Sequence, residues 1–208
     1  MDIKGFIQQR RDAFIAMRRD FHMYPEPAWL EYRSASKVAD KLISLGYDVA
    51  LGAEVLDLDS RMGLPSEDVM KAAMARAMDE GADPELVEKM GYGKTAIVAT
   101  MKFSDDGPVV AFRADMDSND VIESKASNHI PAKNGFRSRH EKAMHACGHD
   151  THMTMGLGLA EYIATHKDGL KGSIKLIFQP AEEGVRGAKA MVEAGVVAVS
   201  YTHLTLPT

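Results

Sequence analysis

Apolar positions recur every three or four residues from the start of the chain. Ile3, Phe6, Ile7, Phe14, Met17 and Phe21, with Arg10 on the same stripe, predict an amphipathic helix. Met23-Tyr24-Pro25-Glu26-Pro27 ends it, because proline lacks the amide donor and pushes its predecessor out of the helical region. A second helix is predicted from Ser34 to Leu45, with Val38, Leu42 and Leu45 inward and Gly46 as C-terminal cap. Tyr47 to Leu58 reads as extended. From Ser66 to Met90 the pattern is a helical hairpin, with Pro65-Ser66 and Asp83-Pro84 as the two helix starts. Met70, Met74 and Met78 share one face there. They read as a packing stripe, or alternatively as a contact surface for another chain, since methionine adapts to irregular surfaces.

From Lys94 the period shortens. Thr95 to Met101 and Pro108 to Arg113 are short apolar runs separated by the turn-like Ser104-Asp105-Asp106-Gly107, and both predict strands. A helix from Asp150 to Thr165, a buried strand from Ser173 to Phe178 and a helix from Glu182 to Glu193 follow. Strands alternating with helices predict an α/β protein built as a three-layer α/β/α sandwich.

Composition narrows the function without naming it. The 208 residues are 45% hydrophobic and 26% charged, an ordinary globular balance rather than a disordered one. Lys and Arg number 25 against 30 Asp and Glu, a net charge of −5, so no basic stripe marks a nucleic-acid partner. Cys147 is the single cysteine, which excludes an intrachain disulfide and suits a reducing compartment. The N-terminal residues carry charges in place of a signal peptide's apolar core, and no apolar run approaches the roughly 20 residues of a membrane span. These features set the expectation of a soluble, cytoplasmic protein that engages no membrane.

Three clusters lie where α/β enzymes place their chemistry, at the C-terminal ends of strands. Arg113-Ala114-Asp115-Met116-Asp117 ends one strand, and Gln179-Pro180-Ala181-Glu182-Glu183-Gly184 ends another. Between them lies His145-Ala146-Cys147-Gly148-His149-Asp150-Thr151-His152. A thiolate and an imidazole two residues apart, with a glycine between them, can converge on zinc or a similar divalent ion. Asp150 would then cap the following helix, and His152 could reach the same end of it. Adjacent carboxylates on a turn point in different directions, so one of Glu182 and Glu183 can bind metal while the other acts as a base. The bland reading of the pair is a solvated helix start. Asp115 and Asp117 point the same way from their strand and could orient a metal-binding histidine, or be no more than a polar strand end. Two rivals compete with a catalytic metal. In one, Cys147 is the nucleophile of a Cys-His-Asp hydrolase, which leaves the glutamates without a role and places His149 too near in sequence. In the other the metal is structural, although such sites are usually cysteine-rich and closed.

Met144-His145-Ala146-Cys147-Gly148-His149-Asp150 together with Phe178-Gln179-Pro180-Ala181-Glu182-Glu183-Gly184 resembles the M20 metallopeptidase and amidohydrolase family, in the branch acting on N-acyl amino acids. Arg19-Asp20-Phe21-His22 and Ala114-Asp115-Met116-Asp117 agree with it, as do Ser60 to Pro65 and Met191 to Val197. The resemblance implies a metallohydrolase catalytic domain over residues 1–197, with a helical insertion at 66–92, and two divalent ions, manganese or zinc. It matches Cys147 to a bridging thiolate, His149 to a terminal ligand, Glu183 to the carboxylate ligand, Glu182 to the general base and Asp117 to an orienting aspartate. The implied substrate is a small N-acyl amino acid, with p-aminobenzoyl-glutamate favoured by the insertion. The implied partner is a B subunit or a further copy in a homo-oligomer. Residues 198–208 do not resemble the family, and His203 stands in the wrong context for a ligand. The further ligands and the lid or dimerisation domain of the family have no counterpart here, so the expectation is a catalytic domain incomplete at its C-terminus, inactive alone and prone to aggregate.

Overall fold

A computed structural model describes residues 2–198. Helix α1 (Ile3–Met23) starts where the Asp2 carboxylate accepts a hydrogen bond from the Lys4 amide, and it ends as the sequence predicts, before Pro25. Helix α2 (Tyr32–Ser44) follows, then strand β1 (Asp48–Leu51) and a short 3-10 turn (Gly52–Glu54). The extended segment is shorter than its pattern suggests because Gly52 takes φ +68 and bends the chain, letting Val55 and Leu56 turn into the core. Helices α3 (Glu67–Asp79) and α4 (Pro84–Lys89) form the hairpin. Strands β2 (Ile97–Lys102) and β3 (Val109–Asp115) are followed by the short helix α5 (Ile130–Lys133), the long helix α6 (His149–Thr165), strand β4 (Ser173–Gln179) and helix α7 (Ala188–Glu193).

The last helix is the main departure from expectation. Residues 182–187 are turn, not helix, because Ala181, Gly184 and Val185 adopt φ of +51, +80 and +59. Left-handed backbone cannot propagate a right-handed helix, and at β-branched Val185 it is rare enough to mark a dedicated conformation.

The four strands lie in the order β1-β2-β4-β3. β2 pairs antiparallel with β1 and β4, whereas β3 and β4 run parallel. Alternation along the strands fills two apolar layers. Ile97, Ala99, Met101, Ile174, Leu176 and Phe178 face one side, with α2, α6 and the α3–α4 hairpin over them. Ala96, Val98 and Ile177 face the other, under Trp29, Val55, Leu56 and Met191 of α7. This mixed α/β architecture has burial on both sheet faces, as expected of a sandwich. Close packing of α6 depends on Gly156, where an added Cβ would stand 2.8 Å from the Phe178 ring. The methionine stripe grades outward: Met70 is buried, Met74 packs partly against the core, and Met78 is exposed.

β3 is an edge strand, with Val110 and Phe112 exposed. Among the described residues no helix is long and apolar enough to cross a membrane. The expected non-family tail and His203 lie outside the described residues, apart from Ala198.

Candidate metal centre

Parallel pairing of β3 and β4 sets Asp115 opposite Gln179, so the two strands deliver their C-terminal ends side by side. Met116 N–H donates to the Gln179 carbonyl at 3.0 Å and extends that alignment past the strands. Asp117 is consequently buried beside the turn that carries the two glutamates. Its carboxylate accepts the Glu182 amide on one oxygen and the Glu183 amide on the other, both at 2.9 Å. One side chain therefore fixes the backbone of both.

Helix α6 brings the third element. Gly148, at φ +84, takes the N-cap position and turns the chain so that His149 opens the helix. His149 Nδ1 lies 2.8 Å from the Asp117 carbonyl oxygen and 3.4 Å from the Asp117 carboxylate. Nδ1–H donation to that carbonyl leaves Nε2, 3.7 Å from Glu182 Oε2, as the free ligating atom. Burial alone would lower the His149 pKa, but Asp117, through its carboxylate and carbonyl, and the charge of Asp115 raise it to about 9. A divalent cation has to displace that proton.

Donor atoms of His149, Glu182 and Glu183 lie within 4.8 Å of one another, and so do those of Asp115, His149 and His152. Cys147 does not complete such a set. It is exposed, with its amide and that of Ala146 donating to Asn119 Oδ1 and its Sγ 3.5 Å from Asn119 Nδ2. The Glu183 carboxylate, as acceptor for the protonated thiol, pushes the Cys147 pKa up against the opposing pull of Asn119. A cysteine nucleophile needs the reverse, a depressed pKa beside positive charge. A thiol among carboxylates ionises instead when a cation binds, which suits a ligand.

Two carboxylate oxygens at the site, Glu183 Oε1 and Asp115 Oδ1, are buried with no hydrogen-bond partner among the described residues. Such atoms are costly unless something positive satisfies them. Imidazole and carboxylate donors within 4.8 Å of one another, with the Cys147 thiol beside Glu183, suit zinc or manganese, so the residues present fit the implied ions.

The other residues singled out from the sequence take different places. Asp150 is not the helix cap; Gly148 is. Its buried carboxylate instead accepts from His22 Nδ1 at 2.7 Å and forms an ion pair with Arg18 Nε at 2.9 Å, because the first turn of α6 faces α1. Burial opposes a charge on His22, yet Asp150 and Glu123, the latter 3.0 Å from Nε2, raise its pKa. His152 Nδ1 lies 3.3 Å from Asp115, and its ring sits 5.0 Å from that of His149. His145 is buried with neither nitrogen bonded among the described residues, and burial foremost pushes its pKa down to about 4. The sequence reading missed Asn119, Glu123 and Glu31. Glu31, fully buried, accepts from the Ala181 amide at 2.8 Å and the Thr95 hydroxyl at 2.7 Å, and so anchors the glutamate turn from behind. Asn119 and Glu123 stand in a polar stretch without periodicity and Glu31 sits among apolar neighbours between α1 and α2, and only the folded chain brings them to the site.

Known proteins resemble the chain over most of its length. Residues 111–207 match the family described as Peptidase family M20/M25/M40. The chain is 49% identical over 195 residues to indole-3-acetyl-aspartic acid hydrolase of Enterobacter agglomerans, covering 94% of this chain and 45% of that protein. It is 51% identical over 180 residues to one of the subunits of p-aminobenzoyl-glutamate hydrolase from Escherichia coli (strain K12), covering 86% and 41%. Among solved structures, the aminobenzoyl-glutamate utilization protein from Klebsiella pneumoniae superposes with a TM-score of 0.79 at 41% identity, over 96% of this chain and 44% of that one. The Bacillus subtilis YXEP protein, described as a dinuclear metal binding peptidase of the M20 family, superposes at 0.65 with 27% identity, over 95% and 42%. The chain spans less than half the length of these relatives. With its strand-end carboxylates, its Cys-Gly-His turn into α6 and its paired glutamates, the chain carries a match to peptidase family M20 over residues 111–207.

Proposed function

We propose that the chain supplies the base and part of the metal-binding set of a metal-dependent amidohydrolase that cleaves p-aminobenzoyl-glutamate into p-aminobenzoate and glutamate. The observation carrying this reading is the double grip of Asp117 on the Glu182 and Glu183 amides beside His149. It holds two carboxylates with separate tasks on one rigid turn. Cys147, His149 and Glu183 would hold the metal, as two manganese or zinc ions shared with donors beyond residues 2–198. When bound, such ions supply Lewis-acid polarisation of the water and of the amide carbonyl. Glu182, half-buried and next to the metal-binding set, takes the proton from the attacking water and passes it to the departing amine. Asp117 is a positioning residue: it orients His149 and fixes the turn that aims Glu182.

The substrate is supported by the likeness to proteins named for p-aminobenzoyl-glutamate. One of these is named as part of a multi-subunit hydrolase, which supports a B subunit as partner. A homo-oligomer is the other assembly. A second reading, hydrolysis of other N-acyl amino acids, is favoured by the 49% identity to a hydrolase named for indole-3-acetyl-aspartate. The single cysteine, which suits a reducing compartment, supports a cytoplasmic setting.

Glu182→Ala in the protein completed to the length of its relatives tests the division of labour. Turnover should fall by a factor on the order of 100 or more while metal content stays at the wild-type level. Loss of metal together with turnover would make Glu182 a ligand. Unchanged turnover would refute the catalytic reading.

A further inference from the structure

A cleft of about 280 Å³ opens beside the proposed centre, lined by Glu183, Gly184 and Arg186 from the glutamate turn and by Ser118, Asn119 and Asp120 from the segment after β3. Arg186 is exposed, and no carboxylate or carbonyl is paired with its guanidinium among the described residues. It nevertheless has a built seat. Ala181, Gly184 and Val185, all left-handed, fold the turn back on itself, and the Arg186 and Gly187 amides both donate to the Ala181 carbonyl, at 3.1 and 2.8 Å. The side chain then lies in a trough made by two glycines from separate loops. A Cβ at Gly63 would stand 3.2 Å from Arg186 Cδ, and one at Gly184 would stand 3.0 Å from Arg186 Nε. The far wall of the trough is pinned: Trp29 Nε1 donates to the Met62 carbonyl at 2.8 Å, and Arg61 donates to the Tyr92 carbonyl at 2.7 Å.

A second polar group in the cleft also lacks a partner. Ser118 is 3% exposed, and its hydroxyl finds no hydrogen bond among the described residues. A guanidinium seated by two glycines, and a buried hydroxyl with open capacity, are the parts of a carboxylate site. The other lining charges decide what Arg186 is for. Glu183 and Asp120 would repel an anion from this cleft, so an anionic ligand enters only where a cation offsets them.

We infer that Arg186, supported by the Ser118 hydroxyl, is a specificity-determining residue that binds a carboxylate of an acidic amino acid on the leaving-group side of the substrate. This rests on the amidohydrolase reading and deepens it. The relatives named for p-aminobenzoyl-glutamate and for indole-3-acetyl-aspartate fit, since each name ends in a dicarboxylic amino acid. The side-chain carboxylate is what separates such a ligand from its neutral amide, and the guanidinium reads that difference.

Binding of N-benzoyl-glutamate and of N-benzoyl-glutamine to the manganese-supplemented 208-residue chain, followed by calorimetry, tests the inference. The two ligands have nearly the same shape and differ by one charge. The wild-type chain should prefer the glutamate compound by roughly tenfold or more, the range of a charge-assisted pair. Arg186→Met should bring the ratio close to unity, Arg186→Lys should keep part of it, and Lys189→Met, a nearby cation outside the cleft lining, should leave it unchanged. Circular dichroism of each variant establishes that it is folded. A preference that survives in folded Arg186→Met, or no preference in the wild type, overturns the role of Arg186 and leaves the amidohydrolase reading standing. Failure of the wild type to bind either compound likewise overturns the role of Arg186 and leaves the amidohydrolase reading to the Glu182→Ala test in the completed protein.

Discussion

At the residue scale Asp117 holds most of the site together, since its carbonyl meets His149 of α6 while its carboxylate takes both amides of the glutamate turn. Asp117→Asn keeps the shape but replaces one accepting oxygen by an NH₂ facing an amide N–H. Metal affinity should fall by about 10–100-fold, the usual cost of losing an orienting partner, as read by competition with a chelator. Glu31, behind the same turn, gives a test that needs no metal. Burial first, then the charge of Asp117, push its pKa from 4.5 up to about 8. The folded chain therefore binds a proton that the unfolded chain has released over that interval, so stability falls as pH rises from about 4.5 to about 8. His22 and His149, both raised from 6.5, add the same sign at the upper end of this window. Urea midpoints of the metal-free chain should drop between about pH 5.5 and about pH 8, and Glu31→Gln should flatten the drop. An equal slope in wild type and variant would place the proton elsewhere.

At the element scale the turn after β4 is the feature to disturb. Gly187 leaves no room for a side chain: an added Cβ would stand 1.8 Å from the Pro180 carbonyl oxygen. Because the obstacle is backbone, Gly187→Ala should cost about 1–3 kcal/mol in chemical denaturation and weaken metal binding with it. Much of the surrounding frame was legible in the sequence. The 3.6-residue stripe of α1, the Gly46 stop after α2 and the apolar runs of β2, β3 and β4 follow from local periodicity, which the folded chain obeys. The turn itself was not. Glu182 to Glu193 has helical composition, but the left-handed residues Ala181, Gly184 and Val185 stop the helix, in a turn whose Ala181, Glu182 and Glu183 amides are held by Glu31 and Asp117 far away in sequence. The Asp150 assignment failed for a related reason. Capping is a local rule, whereas Asp150 answers to Arg18 and His22 on a helix more than a hundred residues earlier. The three strand-end clusters could be picked out by residue type, yet their meeting depends on the parallel pairing of β3 with β4, which no local pattern encodes.

At the scale of the whole molecule the exposed apolar surface among the described residues includes a strand edge and a groove. Val110 and Phe112 stand out from edge strand β3, and Ile3, Ile7 and Met155 rim a groove between α1 and α6 of about 310 Å³. An unprotected strand edge with apolar side chains invites pairing between chains. Val110→Lys should lower self-association of the purified chain at a given concentration, as measured by light scattering, with little effect on its unfolding midpoint. The matched donors within residues 2–198 are Cys147, His149 and Glu183, fewer than two ions require, so this chain alone should hydrolyse p-aminobenzoyl-glutamate at no appreciable rate.

Metal content per chain, by elemental analysis after purification without chelator, tests the central claim most directly, with wild type beside Cys147→Ser. A metal centre built on Cys147, His149 and Glu183 predicts zinc or manganese in the wild type and a clear loss in the variant. A folded wild-type chain that carries no metal, or equal metal in both, would contradict it.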